Sequence, residues 1–588
     1  MDKNTIIGFG LLMLMLIGYI VYNQNGEAKL IEQRRTDSLA KAKLMPKETI
    51  KLDTTTANII APKDSNAVAL DSSVPVQIST IENEDIIISF TNHGAYAVKA
   101  ELKKFKTYDG KPLLLFDGKK NTVDYGYKST SGSRVNTKDL TFQTEIASDK
   151  RAITFTNNDA KIIYTLSPNS YMLNVQVMPL TLDKSQNVNM QWTSQSLLTE
   201  KDVPNQKLYT QICYNLEKDG YDFFTIKEKK TYDLKENVKW LSFKQHYFNT
   251  TLVTDAPIIN NAKVNVEPSE EDTTLHTLSN FDANLSLAPS DNIQYKMFLG
   301  PNDYKLLKSY HKDLEEIIPL SYGIFGFVKY INKWLIIPIF YGLAKVFSSY
   351  GIVILLLTII IRLLMSPFTY KSYVSSAKMK ALKPELDELK AKMGDDQQAY
   401  GVEQMKLYRQ AGVNPLGGCL PALLQLPVFF ALLSFFPHAI ELRQSKFLWA
   451  KDLSTYDSIL NLPFTIPFYG DHVSLFTILF VITSILMALY TMNMTADQSN
   501  PVMKYMPFIM PIMFLGIFNK LPASLTFYYF VSNAITLLLQ FVIQNYIIDP
   551  DKIHAQIEAK KKEKPKENKL MARMAEMQKQ QQDRQKKK

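Results

Sequence analysis

A single arginine interrupts an otherwise apolar stretch that is long enough to enter a membrane. Between Tyr350 and Pro367, Arg362 is the only charged residue. A charge at the centre of a spanning helix costs about 2.5–3.5 kcal/mol on insertion scales, so such residues usually serve a function. The chemistry predicted here is electrostatic: a fixed cation that attracts acidic or polar segments. Arg362 precedes Pro367 by only about 7 Å of helix, so snorkelling of its side chain to the interface is the alternative.

Polar residues recur in the apolar segments that would surround Arg362. The charge-free run 521–548 places five of them on one helical stripe: Tyr529, Ser532, Asn533, Thr536 and Gln540. Thr358 lies one turn before Arg362, and Gln425 lies inside the charge-free run 410–440. Polar side chains that face lipid are costly, whereas a shared wet groove would solvate them. The sequence therefore predicts a hydrophilic groove; ordinary hydrogen bonds between helices, worth about 0.6 kcal/mol per pair, are the alternative.

The chain carries no comparable signal for covalent or metal chemistry. Its seven histidines lack metal-ligand spacing, and the HExxH, P-loop, GxSxG and CxxC motifs are absent from the sequence. We therefore expect a protein that is not an enzyme and that needs no metal ion or other cofactor. Cys213 and Cys419 are predicted to lie in different compartments, so no disulfide is expected. The predicted C-terminal spans contain no acidic residue, which argues against an ion-coupled transporter.

Apolar segments supply the elements that would position these side chains. Hydrophobic residues make up 46% of the 588 residues, and long charge-free runs concentrate them. Residues 1–22 predict an N-terminal anchor helix, residues 350–370 a second span, and residues 415–548 four further spans. The apolar run 334–344 is too short for a hydrocarbon core of about 30 Å, so residues 319–349 predict an amphipathic interfacial helix. A cleaved signal peptide is the alternative for the first segment, although no small-residue cleavage site follows it.

The distribution of basic residues predicts the orientation of the spans. The segment 371–409 carries eight Lys and Arg and the tail 549–588 carries thirteen, whereas the loop 438–472 carries three. Short basic loops remain in the cytoplasm. The segment and the tail are therefore expected on the cytoplasmic side, and an even number of spans places the N-terminus there too.

The segments outside the membrane have distinct compositions. Residues 23–80 are polar and poor in aromatic residues, which is typical of a flexible tether. Residues 81–318 alternate short apolar runs with Asn, Asp, Gly and Pro, which predicts a large extracytoplasmic β-sandwich domain. Residues 371–414 predict a cytoplasmic helical hairpin, either self-contained or a docking surface. The basic tail 549–588 is either solvated or an electrostatic contact to RNA or anionic lipid.

Several motifs resemble those of the YidC/Oxa/Alb insertase family. Residues 409–432 resemble the third-span signature of the family, and residues 525–533 resemble its last-span motif. Residues 362–369 resemble the end of the second span with its groove arginine. Further matches to the bacterial pattern occur at residues 244–248, 300–304 and 441–444. The resemblance covers nearly the whole chain.

The resemblance implies a multi-pass insertase and chaperone of the bacterial inner membrane, with a groove that opens to the cytoplasm and to lipid. Arg362 would be the groove cation. The expected polar lining comprises Thr358, Gln425, Tyr529, Ser532 and Asn533, and the expected apolar contacts for a passenger helix are Phe429 and Tyr528. The sandwich would be the β-supersandwich of Gram-negative members.

The resemblance also implies partners. Nascent membrane proteins and the lipid bilayer are expected, together with the Sec translocon and a ribosome contact through the basic tail and the hairpin. Function is thus expected to be membrane protein insertion, alone or with the translocon. A small-solute channel or transporter and a membrane-anchored carbohydrate-active protein are the alternatives from other classes.

Overall fold

The computed structural model describes residues 75–118, 120–268, 277–394, 396–414, 417, 420–492 and 501–562. The predicted anchor 1–22, most of the predicted tether, Cys419 and the end of the basic tail lie outside these residues. The first strand begins at Ile78, inside the segment predicted as tether 23–80. The strand extends past the predicted boundary because residues 78–80 pair with residues 89–91 of the next strand and bury Ser79.

Three antiparallel sheets between Ile78 and Pro301 form what we term the β-domain. The first sheet pairs, in this order, β1 (Ile78–Glu82), β2 (Ile86–Thr91), β3 (Ala97–Lys106) and β4 (Pro112–Asp117). The second pairs β13 (Gly220–Thr225), β12 (Gln211–Leu216), β15 (Val238–Lys244), β16 (Phe248–Val253), β19 (Ile293–Pro301), β10 (Met172–Pro179), β9 (Ala160–Leu166), β8 (Ala152–Thr156) and β7 (Gln143–Ile146). The third pairs β14 (Lys230–Leu234), β17 (Ile259–Pro268), β18 (Thr277–Leu287), β11 (Val188–Leu197), β5 (Thr122–Lys128) and β6 (Arg134–Asn136).

The second and third sheets pack face to face through alternating apolar residues. Trp192 of β11 stacks on Phe243 of β15 with ring centroids 4.1 Å apart, and Phe243 stacks on Phe281 of β18 at 4.6 Å. The hydroxyls of Tyr125 on β5 and Tyr295 on β19 form a hydrogen bond across the same interface. The predicted β-rich domain is confirmed.

Helices in and after the β-domain are short until the apolar core begins. They are α1 (Val203–Tyr209), α2 (Tyr304–Ser309), α3 (Val328–Ile331) and α4 (Ile337–Ala344), and a π-helical turn, Asn332–Ile336, joins the last two. Short 3-10 helices lie at Thr137–Asp139, Leu314–Ile317, Gly323–Phe325, Phe436–His438 and Ile440–Leu442. The segment from Val328 to Ala344 buries Phe340 on one side and leaves Trp334 76% exposed on another. Such a two-faced helix suits the membrane interface, as predicted for residues 319–349.

The apolar core consists of α5 (Tyr350–Ala381), α8 (Leu420–Phe435), α9 (Leu475–Met492), α10 (Pro501–Phe518) and α11 (Ala523–Val542), which ends in a π-helical turn at Ile543–Ile547. Among the described residues, three helices are long and apolar enough to cross a membrane: Tyr350–Ala381, Leu475–Met492 and Ala523–Ile547. Two shorter apolar helices, Leu423–His438 and Tyr505–Phe518, accompany them. The helical membrane core is thus confirmed, whereas helix length alone identifies three spans rather than the five predicted.

The second predicted span, 350–370, does not end where the sequence suggests. Instead α5 continues past Pro367 to Ala381, a length of 32 residues. Proline removes the N–H that would bond to the carbonyl four residues earlier, here that of Leu363. The hydroxyl of Ser366 donates to this same carbonyl oxygen at 2.8 Å. A neighbouring side chain therefore satisfies the group that proline leaves unpaired, and the helix is not broken.

The helical hairpin packs against the beginning of the tail. The hairpin comprises α6 (Lys383–Met393) and α7 (Gln397–Gln410), and the tail begins with α12 (Pro550–Lys562). Their buried residues form one apolar cluster: Leu382, Leu386, Tyr408, Ala411, Val413, Ile553 and Ile557. Lys561 also pairs with Glu385 at 2.6 Å. The tail 549–588 is therefore not solvated throughout, because Ile553 and Ile557 lie one turn apart and give α12 an apolar face.

Removal of α12 is expected to expose the apolar face of the hairpin. We predict that a chain truncated after Asp549 is cleaved within residues 383–410 much faster than one truncated after Lys562, in limited proteolysis of the detergent-solubilised protein. Loss of a buried isoleucine costs about 2–5 kcal/mol, so Ile557→Ala in the full-length chain should reproduce the effect in weaker form. Equal cleavage rates of the two truncated chains would show that the hairpin is self-contained.

A second prediction concerns the start of α5. A Cβ added at Gly351 would lie 2.0 Å from the ring of Phe447, whereas one added at Gly342 of α4 meets nothing within 4 Å. Overpacking typically costs about 1–3 kcal/mol, so Gly351→Ala should lower the thermal unfolding midpoint. Gly342→Ala is the matched control and should leave it unchanged or raise it, since alanine favours helix. Equal midpoints for the two variants would contradict the close packing.

Candidate functional site

Arg362 lies on α5 where this helix packs against α11. Its Nε donates to the Ser532 hydroxyl at 2.7 Å. The guanidinium also interacts electrostatically with Tyr373, Tyr528 and Tyr529. No carboxylate of the described residues contributes to this environment.

Polar atoms near Arg362 lack hydrogen bonds within the described part of the chain. Both side-chain polar atoms of Gln425 on α8 and the hydroxyl of Tyr528 on α11 are buried and have no partner within hydrogen-bond geometry among the described residues. Gln425 and Ser532 flank the Tyr528 hydroxyl. An unsatisfied buried polar group costs about 1–3 kcal/mol. We term Arg362, Gln425, Tyr528 and Ser532 the groove cluster.

Three of the predicted lining residues form hydrogen bonds within the helical core. The Thr358 hydroxyl donates to the Ile354 carbonyl of its own helix at 2.7 Å. Asn533 Nδ2 donates to Ser484 Oγ on α9 at 2.8 Å, which ties α9 to α11. The Tyr529 hydroxyl donates to the carbonyl of Phe429 on α8 at 3.4 Å, and the two rings lie 5.3 Å apart. Tyr529 and Asn533 thus link α11 to α8 and to α9, whereas Thr358 bonds within α5.

Apolar side chains are exposed directly beside the groove cluster. Leu363 and Leu364 follow Arg362 on α5 and are exposed, and Leu423 and Leu426 flank Gln425 on α8 and are also exposed. Phe429, predicted to contact a passenger helix, is partly buried on α8. Polar groups and exposed apolar residues therefore alternate on the same two helices. A segment with a polar end and an apolar body would find a match for both parts.

Tyr373 is a neighbour of Arg362 that the sequence reasoning missed. It interacts electrostatically with Arg362 and with Tyr490 of α9. The spacing could have predicted this neighbour, since Tyr373 follows Arg362 by 11 residues. Positions about three helical turns apart share one face of a helix. It was overlooked because the predicted span ended at residue 370.

The β-domain and the helical core meet at a second polar cluster, which we term the seam. His246 Nε2 forms a hydrogen bond with the Pro437 carbonyl at 2.8 Å, and the Tyr247 hydroxyl donates to the same oxygen at 2.9 Å. Arg443 Nε donates to both carboxylate oxygens of Glu200 at 2.9 Å. All these residues are buried. The motifs at residues 244–248 and 441–444 therefore belong to the joint between the domains.

Burial at the seam sets the charges of its residues. Burial lowers the pKa of His246 to about 3, so its ring is neutral and donates its Nε2–H to Pro437. Burial, with repulsion from Asp303, raises the pKa of Glu441 from 4.5 to about 7. One Glu441 carboxylate oxygen has no hydrogen-bond partner among the described residues. The seam therefore holds one acid that ionises near neutral pH.

The seam should become less stable as the pH rises through neutrality. Since the pKa of Glu441 is higher in the folded state than the ordinary 4.5, the folded protein binds the proton more tightly. That stabilisation is complete below pH 4.5 and is lost between about pH 4.5 and pH 7, at a cost of about 3 kcal/mol. Glu441→Gln should therefore unfold at a higher temperature than the parent at pH 8 and at a similar temperature at pH 4.5.

Thermal unfolding in detergent across this pH range measures the difference. Glu145→Gln, on the exposed edge strand β7, is the matched control and should follow the parent at every pH. If Glu441→Gln also parallels the parent, Glu441 does not titrate in the folded protein as we describe.

Known proteins resemble this chain over nearly its full length. The family model described as "YidC periplasmic domain" matches residues 78–338, and that described as "60Kd inner membrane protein" matches residues 342–550. "Membrane protein insertase YidC" of Amoebophilus asiaticus is 37% identical, over 97% of this chain and 96% of that protein. The protein of the same name from Parabacteroides distasonis is 33% identical, over 99% of this chain and 98% of that one.

A solved structure, "Active YidC insertase crystal structure with the first transmembrane domain resolved", is 19% identical and covers 82% of this chain and 96% of its own, with a TM-score of 0.34. Among the described residues, no group of His, Cys, Asp and Glu could hold a metal ion. The two relatives are more than 30% identical to this chain over nearly all of both chains. This chain therefore belongs to the YidC family of membrane protein insertases.

Proposed function

We propose that this chain inserts nascent membrane proteins into the bacterial inner membrane by drawing their polar ends into the groove around Arg362. The observation that carries the proposal is the groove cluster. It combines a cation that has no carboxylate partner among the described residues with buried polar atoms of Gln425 and Tyr528 that the fold leaves unpaired. No covalent bond has to form or break, because insertion only moves the passenger from one environment to another.

Arg362 acts on the most costly part of insertion. A polar or acidic tail must leave water to cross the apolar core, and unpaired charges there are strongly disfavoured. The guanidinium offers such a tail a charge-assisted hydrogen bond, worth about 1.5–3 kcal/mol. The hydrogen bond from Arg362 to Ser532 holds the cation in position before the passenger arrives.

Burial of the passenger helix in lipid supplies the driving free energy. Each Å² of apolar surface removed from water contributes about 25 cal/mol. The exposed leucines beside the groove cluster, on α5 and α8, give the passenger an apolar surface to follow. The passenger then moves sideways into the bilayer, with its apolar body next to α8 and α11.

Short helices beside the groove support a thin local bilayer. The apolar segments Leu423–His438 of α8 and its extension, and Tyr505–Phe518 of α10, are short. They have 16 and 14 residues, which correspond to about 24 Å and 21 Å at 1.5 Å per residue. Both fall below a hydrocarbon thickness of about 30 Å. A bilayer that thins to match them presents a lower barrier to a polar tail.

The finer topology is part of the proposal. We infer an anchor at residues 1–22, a span beginning at residue 350 and four further spans within residues 415–548, with both termini in the cytoplasm. The basic segment 371–409 and the basic tail support this orientation. The hairpin and α12 would then form a cytoplasmic platform, suited to a ribosome contact, and the Sec translocon would be an alternative source of passengers.

Insertion explains the cluster better than the two alternative functions. An ion-coupled transporter would be expected to place Asp or Glu near Arg362, and no carboxylate of the described residues contributes there. A carbohydrate-active role would involve the β-domain alone and would leave the groove cluster without a purpose. The names of the relatives also favour insertion.

Charge at position 362 is expected to control insertion. Proteoliposomes that contain the parent, Arg362→Lys or Arg362→Ala would receive a single-span protein with a short acidic tail, and protease protection would measure the inserted fraction. We expect Arg362→Lys to retain insertion and Arg362→Ala to slow it about tenfold or more, since one charge-assisted hydrogen bond is worth about 1.5–3 kcal/mol.

Two controls separate charge from structure. Ser532→Ala removes the hydrogen bond to Arg362 but keeps the cation, so it should slow insertion less than Arg362→Ala. A passenger with an uncharged tail should be affected less by every variant. Equal insertion by all four proteins would show that Arg362 only extends its side chain to the interface.

A further inference from the structure

An apolar β-hairpin lies between α8 and α9 on the side of the helical core that faces the β-domain. It pairs β20 (Leu460–Ile466) with β21 (Gly470–Val473). The sequence contains no charged residue between Asp457 and Asp471. A contact with the β-domain fixes the side, because Lys201 Nζ lies 5.4 Å from the centroid of the Tyr456 ring, just before the hairpin. We term residues 460–473 the apolar hairpin.

Its large side chains are exposed rather than packed. Leu460, Phe464 and Phe468 are 57%, 62% and 73% exposed, and both faces of β20 are open along most of its length. A two-stranded ribbon with apolar side chains on its open faces is marginally stable in water. These side chains therefore need an apolar environment that the described residues do not supply.

The turn of the apolar hairpin rests on the wall of α10. A Cβ added at Gly516 would lie 2.3 Å from the Phe468 carbonyl oxygen, so the backbone of the turn touches the helix there. Gly516 precedes Lys520 by about one helical turn, roughly 6 Å along the axis. Lys520 ends the apolar run of α10 on this side. The turn therefore lies closer to the hydrocarbon core than Lys520 does.

The outer surface of α10 next to this contact is also apolar and exposed, as at Ile509 and Ile512. In a membrane protein such a helix surface faces acyl chains. The exposed rings of the apolar hairpin therefore continue a surface that lipid already covers. The absence of charged residues from position 458 to position 470 suits acyl chains better than a polar protein partner.

Backbone chemistry limits how deep the hairpin can go. A two-stranded ribbon has open edges, and unpaired N–H and C=O groups are excluded from the hydrocarbon core. Pro463 and Pro467 remove two of the N–H groups that would otherwise be unpaired. The backbone therefore suits the interfacial layer, from which the aromatic rings reach the first part of the acyl chains.

We propose that the apolar hairpin inserts Phe464 and Phe468 into the membrane leaflet on the side of the β-domain, beside α10. It thereby places additional apolar surface at the end of a helix that is short for the bilayer. This role goes beyond insertion and does not depend on Arg362.

Quenching by brominated lipid tests the proposal in the full-length protein. A tryptophan is introduced by Phe468→Trp, and in a second protein by Phe464→Trp, both in a Trp334→Phe background. Each is reconstituted into vesicles of phosphatidylglycerol and phosphatidylcholine, with or without bromine on the acyl chains near the headgroup. We expect the emission added by each substitution to fall at least twofold in brominated vesicles and to resist aqueous acrylamide.

Leu180→Trp is the matched control, because Leu180 is an exposed apolar residue far from the membrane. It follows β10 at the end paired with Ile293, whereas the opposite end of β19, at Pro301, lies at the seam. Eight residues of strand separate the ends, about 26 Å. Its emission should be quenched by acrylamide and not by bromine.

Two results would overturn the proposal. In the first, the emission from positions 464 and 468 responds to the two quenchers like that of the control, which places the apolar hairpin in water. In the second, the emission resists both quenchers, which means that protein covers the apolar hairpin. Gly516→Ala should also change the quenching at position 468, because the added Cβ displaces the turn, whereas Gly342→Ala should not. If Gly516→Ala leaves the quenching at position 468 unchanged, the turn of the apolar hairpin does not contact α10.

Discussion

The structure depends on one constraint: polar groups inside an apolar helical core must be satisfied by the protein itself or be reserved for a passing segment. Arg362 meets this constraint only in part, through Ser532. Thr358 and Asn533 meet it fully, within α5 and between α9 and α11. The polar atoms of Gln425 and Tyr528 that have no hydrogen-bond partner among the described residues lie near the cation. Under the proposed function, these groups serve the passing segment, whereas the satisfied groups stabilise the fold.

Buried polar contacts join the β-domain to this core. The bidentate pair of Arg443 with Glu200 and the paired bonds of His246 and Tyr247 to Pro437 connect segments that are far apart in the chain. Removing one partner of a buried ion pair is costly because the other is left uncompensated. Motifs in the β-domain that resemble the family therefore have a structural explanation at the seam and need no catalytic one.

The apolar faces at the two ends of the helical core are treated differently by the fold. At one end, α12 covers the helical hairpin of α6 and α7 through Ile553 and Ile557. At the end next to the β-domain, the aromatic face around Trp334 and the rings of the apolar hairpin remain exposed. Exposed patches of this kind mark contact with lipid or protein.

The sequence by itself determined the features that depend on local composition and period: the β-rich domain, the apolar helices, the isolated Arg362 and the family motifs. Hydrophobic alternation and charge-free runs are read from neighbouring residues, so they need no knowledge of the fold. Only the tertiary structure decided which groups meet. Ser532 lies 170 positions from Arg362, and Glu200 lies 243 from Arg443. Helix continuation through Pro367 and the packing of α12 were equally hidden, because each depends on a particular side chain reaching a particular neighbour. Partnerships across such distances follow from how helices and sheets pack, which no local pattern records.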